Sequence, residues 1–181
     1  MTNNMTGVNQ RYLREENLLQ GMELLFFAYR DFIAEADEIL SPIGLGRAHH
    51  RVIYFVGRHP EITVSELLAV LKITKQSLSR VLGELKSAGY LADRKGQRDR
   101  RQRLLILTDQ GQQLEQKLTA TQRDRFRNAY RQAGAEAVEG FRLVMEGLLE
   151  PDSLAVMTDP RRGVAFEPPT VTKARTGQDG S

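Results

Sequence analysis

Apolar residues recur at steps of three and four along most of the chain, which is the spacing of a helix with one buried face. The longest such stretch covers residues 11–40, where the apolar stripe is wider than one face. A helix that is apolar over so much of its circumference is buried on more than one side, in a large core or against a second subunit. Ser41-Pro42 ends this helix, because the residue before a proline is disfavoured in the helical region. A second helix is predicted from about Gly46 to Arg58.

Capping residues mark the next boundary. Thr63-x-x-Glu66 is a capping box, in which a hydroxyl and a carboxylate each satisfy a backbone amide of the first helical turn. It predicts a third helix over Val64–Leu71. After a tight turn, Thr74 caps a fourth helix that ends before Gly89, a residue that suits a left-handed C-terminal position. Two short helices joined in this way form a helix-turn-helix.

Two short strands are predicted next, over Tyr90–Arg94 and Arg103–Leu107, and the segment between them, KGQRDRRQ, is too polar to pack. This hairpin is the wing of a winged helix-turn-helix. Thr108 then caps a long helix that extends to about Ala133, and a last helix is predicted over 136–149.

The last helix carries a narrow apolar seam at 3-4-3 spacing, formed by Val138, Phe141, Met145 and Leu148. Such a seam is typical of a coiled coil and needs a partner. Together with Phe26 of the first helix, these side chains are the candidate dimerisation residues.

The pattern as a whole predicts a mainly α protein, a winged helix-turn-helix with a small β-hairpin wing and a helical dimerisation domain. The predicted domain covers residues 11–149. Within it, residues 46–108 form the DNA-binding region, and the flanking segments 11–45 and 109–149 supply the dimerisation helices.

The basic charge is local. Residues 62–111 hold ten Lys or Arg against five Asp or Glu, a net charge of +5, whereas the whole chain is +3. The remainder is therefore net −2. A basic surface confined to one segment indicates phosphate binding there and not a generally sticky protein.

The outward face of the fourth helix is the first candidate DNA-binding site. Turning 100° per residue from the buried Leu78 places on the opposite side Gln76, Ser79, Arg80, Gly83 and Ser87. Gln76 and Arg80 are the candidates for base reading, because their hydrogen-bonding groups match adenine and guanine edges in the major groove. Thr74, Lys75 and Ser77 lie at the positive helix end, which suits phosphates. Taken alone, such a face is also typical of an ordinary solvated helix; the adjoining turn and wing favour DNA.

The wing tip is the second candidate. Residues 94–103 carry six positive charges and one acid, a clustering that is repulsive unless a polyanion relieves it. The candidate DNA contacts here are Arg98, Asp99, Arg100 and Arg101. Asp99 can hold the guanidinium of Arg101, and a preordered arginine at a hairpin tip fits the minor groove, whose narrow A/T tracts concentrate negative potential. The alternative is a disordered basic loop.

Other classes of site are disfavoured. The absence of cysteine excludes disulfides, thiolate zinc sites and thiol redox sensing. Adjacent His49 and His50 point about 100° apart on a helix and cannot share a metal, so these histidines are expected at the surface or the core edge, with an effector pocket as the lesser alternative. GxxxxGKS/T, GxGxxG, HExxH and GxSxG do not occur, so neither a cofactor nor an enzymatic activity is expected.

The two ends of the chain are expected to have little structure. Residues 1–10 are predicted to be flexible and lack the pattern of a signal peptide. Residues 150–181 hold four of the six prolines and no apolar period, which is typical of a disordered tail. With no apolar stretch of about 18 residues to span a membrane, the sequence predicts a cytoplasmic protein.

The combined motifs resemble the MarR (multiple antibiotic resistance regulator) family of bacterial transcription regulators over about residues 15–149. The matching features are Thr63-x-x-Glu66-Leu67, Leu78-Ser79-Arg80-x-Leu82-x-x-Leu85-x-x-x-Gly89-Tyr90-Leu91, Asp99-Arg100-Arg101 and Leu107-Thr108-x-x-Gly111. Each element is weak alone, but their mutual spacing makes the combination specific.

Similarity to that family implies an obligate homodimer shaped like a triangle, with the terminal helices of both subunits forming one dimer domain. It implies a recognition helix in the major groove and a wing in the minor groove of a pseudo-palindromic site in double-stranded DNA. We expect a regulator that acts by occupying this operator, most often to repress. Many members are released by small ligands bound between the dimer helices and the DNA-binding domain, so a small-molecule effector is a further expected partner. The lack of cysteine sets aside the hydroperoxide-sensing branch.

One position departs from the family pattern. Members usually have an arginine four residues after the helix-ending glycine, where this chain has Asp93, and the arginine follows at Arg94. The rival functions are a non-specific architectural DNA-binding protein and, less favoured, an RNA or protein interaction module.

Overall fold

The computed structural model describes residues 11–96 and 102–158. The helices in this part of the chain are α1 (Glu15–Leu40), α2 (Arg47–Arg58), α3 (Val64–Leu71), α4 (Lys75–Ser87), α5 (Asp109–Ala133), α6 (Ala135–Gly147) and α7 (Pro151–Thr158). The strands are β1 (Ile62–Thr63), β2 (Leu91–Lys95) and β3 (Arg103–Leu107), and short 3₁₀ turns lie at Arg11–Leu13 and Ser41–Ile43. The predicted fold class, mainly helical with a winged helix-turn-helix, is confirmed.

The core of the predicted DNA-binding region lies between α2, α4 and the sheet. Its buried side chains include Leu78, Val81, Leu82 and Leu85 of α4, Val52, Ile53 and Val56 of α2, and Leu91, Leu105 and Leu107 of the strands. Full burial of one such side chain stabilises a fold by about 1.5–3 kcal/mol. Because four of these residues anchor one side of α4, the opposite side is held facing solvent.

The helix ends form as the capping residues predict. The Thr63 hydroxyl accepts the Glu66 backbone N–H at 3.2 Å, and the Glu66 carboxylate accepts the Thr63 N–H at 2.9 Å. The Thr74 hydroxyl accepts the Ser77 N–H at 3.1 Å at the start of α4. Beyond the end of α4, Gly89 has a φ of +79°, which is the left-handed conformation expected of it.

Thr108 joins the wing to α5. Its hydroxyl accepts the Gly111 N–H at 3.1 Å and donates to the Gly89 carbonyl at 2.6 Å. Gly111 lies so close to the wing that a Cβ built on it would be 2.0 Å from the Tyr90 carbonyl oxygen. The start of α5 is thereby fixed against the base of the wing.

The strands form one antiparallel sheet in the order β1-β3-β2. In the wing, Leu91 faces Leu107 and Lys95 faces Arg103, while β1 pairs Ile62 with Leu105. The sequence pattern did not predict β1. Two residues are too few to show the alternation of a strand, and in the sequence they carried the signal of a helix cap.

Helices α1 and α5 pack against α2 of this region, and α6 packs against α5. The buried Gln122 amide of α5 donates to the Phe32 carbonyl of α1 at 3.3 Å, and Arg125 pairs with the Glu35 carboxylate. The first half of α1 nevertheless exposes a run of large apolar side chains, namely Leu18, Leu19, Met22, Leu24, Leu25, Phe26, Phe27 and Tyr29. This exposure accords with the wide apolar stripe read from the sequence.

Helix α7 corrects the predicted start of the unstructured tail. Pro151 occupies the first helical position, where its missing N–H has no intrahelical partner to lose. The Glu150 carbonyl accepts the N–H groups of Ser153 at 2.9 Å and Leu154 at 3.0 Å. The expectation of little structure was therefore wrong for residues 151–158, and the rest of the predicted tail lies outside the described residues, as do residues 1–10.

Candidate nucleic-acid interface

The outward face of α4 is polar and open to solvent. The side predicted from the helical projection is exposed throughout, at Gln76, Ser79, Arg80, Gly83 and Ser87. Arg80 has 66% of its side-chain surface exposed. The structure thus brings the two predicted base readers, Gln76 and Arg80, onto one accessible face, where their contact with DNA stays a prediction.

The N-terminal end of α4 is built around a threonine cap. The Thr74 hydroxyl, besides accepting the Ser77 amide, donates to the Ser77 hydroxyl at 2.9 Å. Lys75 is exposed beside this pair, and the first turn contains no acidic residue. This helix end therefore presents the positive end of the helix dipole and a lysine to solvent, a combination that suits a phosphate.

Glu84 lies one turn beyond Arg80 and was not identified as a site residue from the sequence. Its Oε1 accepts a hydrogen bond from Arg80 Nη1 at 2.9 Å, and its Oε2 lies 2.7 Å from His49 Nε2 of α2. The hydrogen bond from His49, together with the nearby Arg80 guanidinium, keeps the pKa of the Glu84 carboxyl below its ordinary value, against the opposing effect of desolvation. The four-residue spacing from Arg80 could have predicted the first contact, but the contact with α2 is long-range.

The base of the wing is held by ion pairs of Asp93 and Arg94, the two residues that depart from the pattern of the family that the sequence resembles. Asp93 accepts a hydrogen bond from Lys86 of α4 at 2.7 Å, and Arg103 of β3 lies 3.7 Å from the same carboxylate oxygen. Arg94 pairs with Glu61, which precedes β1. The acid at position 93 thus ties the wing to α4, and the displaced arginine ties it to the turn after α2.

The wing tip, residues 97–101, lies outside the described residues. The proposed contacts of Arg98, Asp99, Arg100 and Arg101 with the minor groove therefore stay predictions. The last described contact toward the tip is the hydrogen bond from the Gly96 N–H to the Gln102 carbonyl, at 3.0 Å.

A second surface, which we call the apolar groove, runs between α1, α5 and α6 and has a volume of about 530 Å³. Its walls include Leu25, Tyr29, Phe32, Phe126, Tyr130, Val138, Phe141 and Met145. Three of the five candidate dimerisation residues are thus brought together there. Phe26 is exposed on α1 outside the groove lining, and Leu148 is exposed just after the end of α6.

His50 lies where α2 approaches α1 and α5. Its Nε2 is buried without a hydrogen-bond partner in the described part of the protein. Burial lowers the pKa of His50, although the negative charges of Asp37 on α1 and Glu115 on α5 act in the opposite direction. This residue belongs to the junction between the predicted DNA-binding region and the long helices.

Two kinds of feature are missing from residues 11–96 and 102–158. No helix there has both the length and the apolar character to cross a membrane. No group of three or more His, Asp or Glu side chains there is arranged to hold a metal ion.

Comparison with known proteins places these features in a family. A sequence model of the MarR family matches residues 43–102. The HTH-type transcriptional regulator PetP of Rhodobacter capsulatus is 50% identical over 145 residues, which cover 80% of this chain and 87% of PetP.

Two solved structures share the fold. The S. aureus MepR–DNA complex has a TM-score of 0.58 at 16% identity and covers 70% of this chain and 94% of MepR. CouR from Rhodococcus jostii RHA1, bound to p-coumaroyl-CoA, has a TM-score of 0.58 at 17% identity and covers 71% of this chain and 90% of CouR.

Proposed function

The chain belongs to the MarR family of DNA-binding transcription regulators, and from this premise we propose that it acts as a homodimer on a pseudo-palindromic operator, most often as a repressor. The observation that carries the proposal is the exposed polar face of α4, held outward by the buried leucines on its other side. In this proposal Gln76 and Arg80 read base edges in the major groove. Thr74, Lys75, Ser77 and Ser79 contact the adjacent phosphates or bases, and the wing enters the minor groove.

The homodimer is supported by the apolar groove and by the exposed apolar residues of α1. A soluble monomer rarely leaves so much contiguous apolar surface uncovered. A second copy of the same helices is the natural cover, because a two-fold interface places the same patch of both subunits together. In this proposal the DNA-binding region is residues 46–108, and α1, α5 and α6 form the dimer domain.

Release by a small ligand is the third part of the proposal. CouR, which shares the fold, is bound to p-coumaroyl-CoA in its structure. In the present chain, His50 offers a buried nitrogen at the junction of α1, α2 and α5, between the dimer helices and the DNA-binding region. A ligand bound at that junction would change the spacing of the two α4 helices in the dimer and so lower operator affinity.

Selection of bound genomic DNA fragments tests the DNA-binding proposal. We expect the recovered fragments to share an inverted repeat whose half-sites lie about 10–10.5 base pairs apart, or a multiple of that distance. Affinity for this operator should exceed affinity for random duplex by about 10³-fold or more at physiological salt.

The alternative is a non-specific architectural DNA-binding protein, which the local basic charge also favours. That function predicts fragments without a shared sequence and nearly equal affinities for operator and random duplex. This outcome would contradict the proposed regulator function.

A further inference from the structure

A chain of hydrogen bonds connects the edge of the core to the outward face of α4. The two oxygens of the Glu84 carboxylate have different partners: Arg80 of the same helix at 2.9 Å, and His49 of α2 at 2.7 Å. One carboxylate therefore joins the candidate base-reading arginine to His49, which lies outside the DNA-facing surface.

The second ring nitrogen of His49 determines which atoms donate and which accept in this series of hydrogen bonds. His49 Nδ1 lies 3.1 Å from the Gly46 backbone nitrogen and accepts its N–H at the start of α2. A ring nitrogen that accepts an N–H carries no proton, so the neutral ring has its proton on Nε2 and donates it to Glu84. Since only 11% of the His49 side-chain surface is exposed, packing and two hydrogen bonds fix the position of the ring.

Glu84 is the one acidic residue in α4, and it lies beside the one arginine of that helix. A carboxylate on a DNA-facing helix repels phosphates and therefore lowers affinity for DNA of any sequence. An exposed arginine–glutamate pair of this spacing is common, but one whose carboxylate is also held by a buried histidine of another helix has a defined orientation.

Resting on the proposed function, in which Arg80 reads a base, we propose that Glu84 and His49 are positioning residues that determine the specificity of this reading. Glu84 holds the Arg80 guanidinium on the outward face before DNA binds, and His49 holds Glu84. A guanidinium ordered in advance loses less conformational freedom when it meets its base. The same carboxylate disfavours complexes in which Arg80 turns to a phosphate, so it raises the preference for operator over random DNA.

The test uses the full-length dimer and two labelled duplexes of equal length, the selected operator and a random sequence. Glu84→Gln removes the charge and keeps the size. We expect this variant to bind random duplex more tightly and to lower the operator-to-random affinity ratio roughly 3- to 10-fold. That decrease is a fraction of the discrimination between bases that one bidentate contact supplies.

A matched pair of substitutions tests His49. Asparagine at this position can still accept the Gly46 N–H but cannot reach Glu84, whereas glutamine can place its Nε2 near that of histidine. His49→Asn should therefore lower the ratio in the same direction as Glu84→Gln, and His49→Gln should restore most of it. A residue that only stabilised the fold would change the free energy of unfolding and leave the operator-to-random affinity ratio unchanged.

Two controls separate this inference from simpler explanations. Asp124→Asn removes an exposed carboxylate that pairs with Arg127 on α5, and it should leave the ratio unchanged. In an Arg80→Ala background, Glu84→Gln should have no further effect on the ratio, because the residue it positions is absent.

The outcomes are distinguishable. If Arg80→Ala lowers the ratio but Glu84→Gln does not, the positioning role is overturned while base reading stands. The role is also overturned if the effect of Glu84→Gln persists without Arg80. If Arg80→Ala itself leaves the ratio unchanged, base reading by Arg80 and this inference fail together. Because Glu84 is exposed, its variant decides the matter even if a His49 variant folds poorly.

Discussion

Replacing Phe141 in the apolar groove tests the proposed dimer. In the protomer, 44% of the Phe141 surface is exposed, and its ring lies 6.3 Å from that of Tyr130. Full burial of a large apolar side chain is worth about 1.5–3 kcal/mol, so covering the exposed part contributes about 0.7–1.3 kcal/mol per copy. Two copies meet in a two-fold dimer. Phe141→Ala should therefore raise the dimer dissociation constant about 10- to 100-fold.

Phe141→Asp should have a larger effect, because it would place an unpaired carboxylate in a dry interface. Ile43→Asp is the matched control: Ile43 is 45% exposed, almost as much as Phe141, but it does not line the groove. Sedimentation velocity at a series of protein concentrations gives the dissociation constants, and circular dichroism checks folding. An unchanged dimer in Phe141→Asp, or equal dissociation in Ile43→Asp, would show that the apolar groove is not the dimer interface.

Two further predictions concern stability. Gly111→Ala should destabilise the fold by about 1–3 kcal/mol in urea unfolding, since its Cβ would collide with the wing backbone; Gly140→Ala, with no atom near its Cβ, should instead be neutral or stabilising. Because burial lowers the pKa of His50 below its usual 6.5, despite Asp37 and Glu115, the unfolded chain takes up this proton first on acidification. The stability that neutral His50 contributes is therefore present above about pH 6.5 and should be lost as the pH falls below that value. His50→Gln should flatten this loss between about pH 7 and pH 5; a slope equal to that of the unsubstituted protein would argue against a buried neutral His50.

The helix-turn-helix was predictable because its signals are local. The hydroxyls of Thr63 and Thr74 each accept a backbone N–H three residues away. Gly89 adopts the left-handed conformation because it has no Cβ. Likewise, the outward face of α4 follows from its 100° turn per residue once Leu78 is taken as buried. Such features require no knowledge of the rest of the fold.

The features that were missed depend on distant partners or on weak local signals. β1 exists because Ile62 pairs with Leu105, which is far away in sequence. The contact between His49 and Glu84 spans 35 residues, so no spacing rule reveals it. Helix α7 begins at a proline, and a proline-rich composition was interpreted as disorder although Pro151 suits a first helical position.

Salt-dependent binding titrations of Arg80→Ala and Arg101→Ala, on operator and on random duplex, separate base reading by α4 from phosphate anchoring by the wing. Arg80→Ala should cost roughly 1–3 kcal/mol of binding free energy on the operator and flatten the preference for it, because a base contact is lost. Arg101→Ala should weaken both duplexes more evenly and lower the salt slope by about 1 per subunit, because a minor-groove cation senses potential more than base identity. If the Arg80 variant keeps full discrimination between the two duplexes, α4 does not read the operator through this residue and the proposed base reading is wrong.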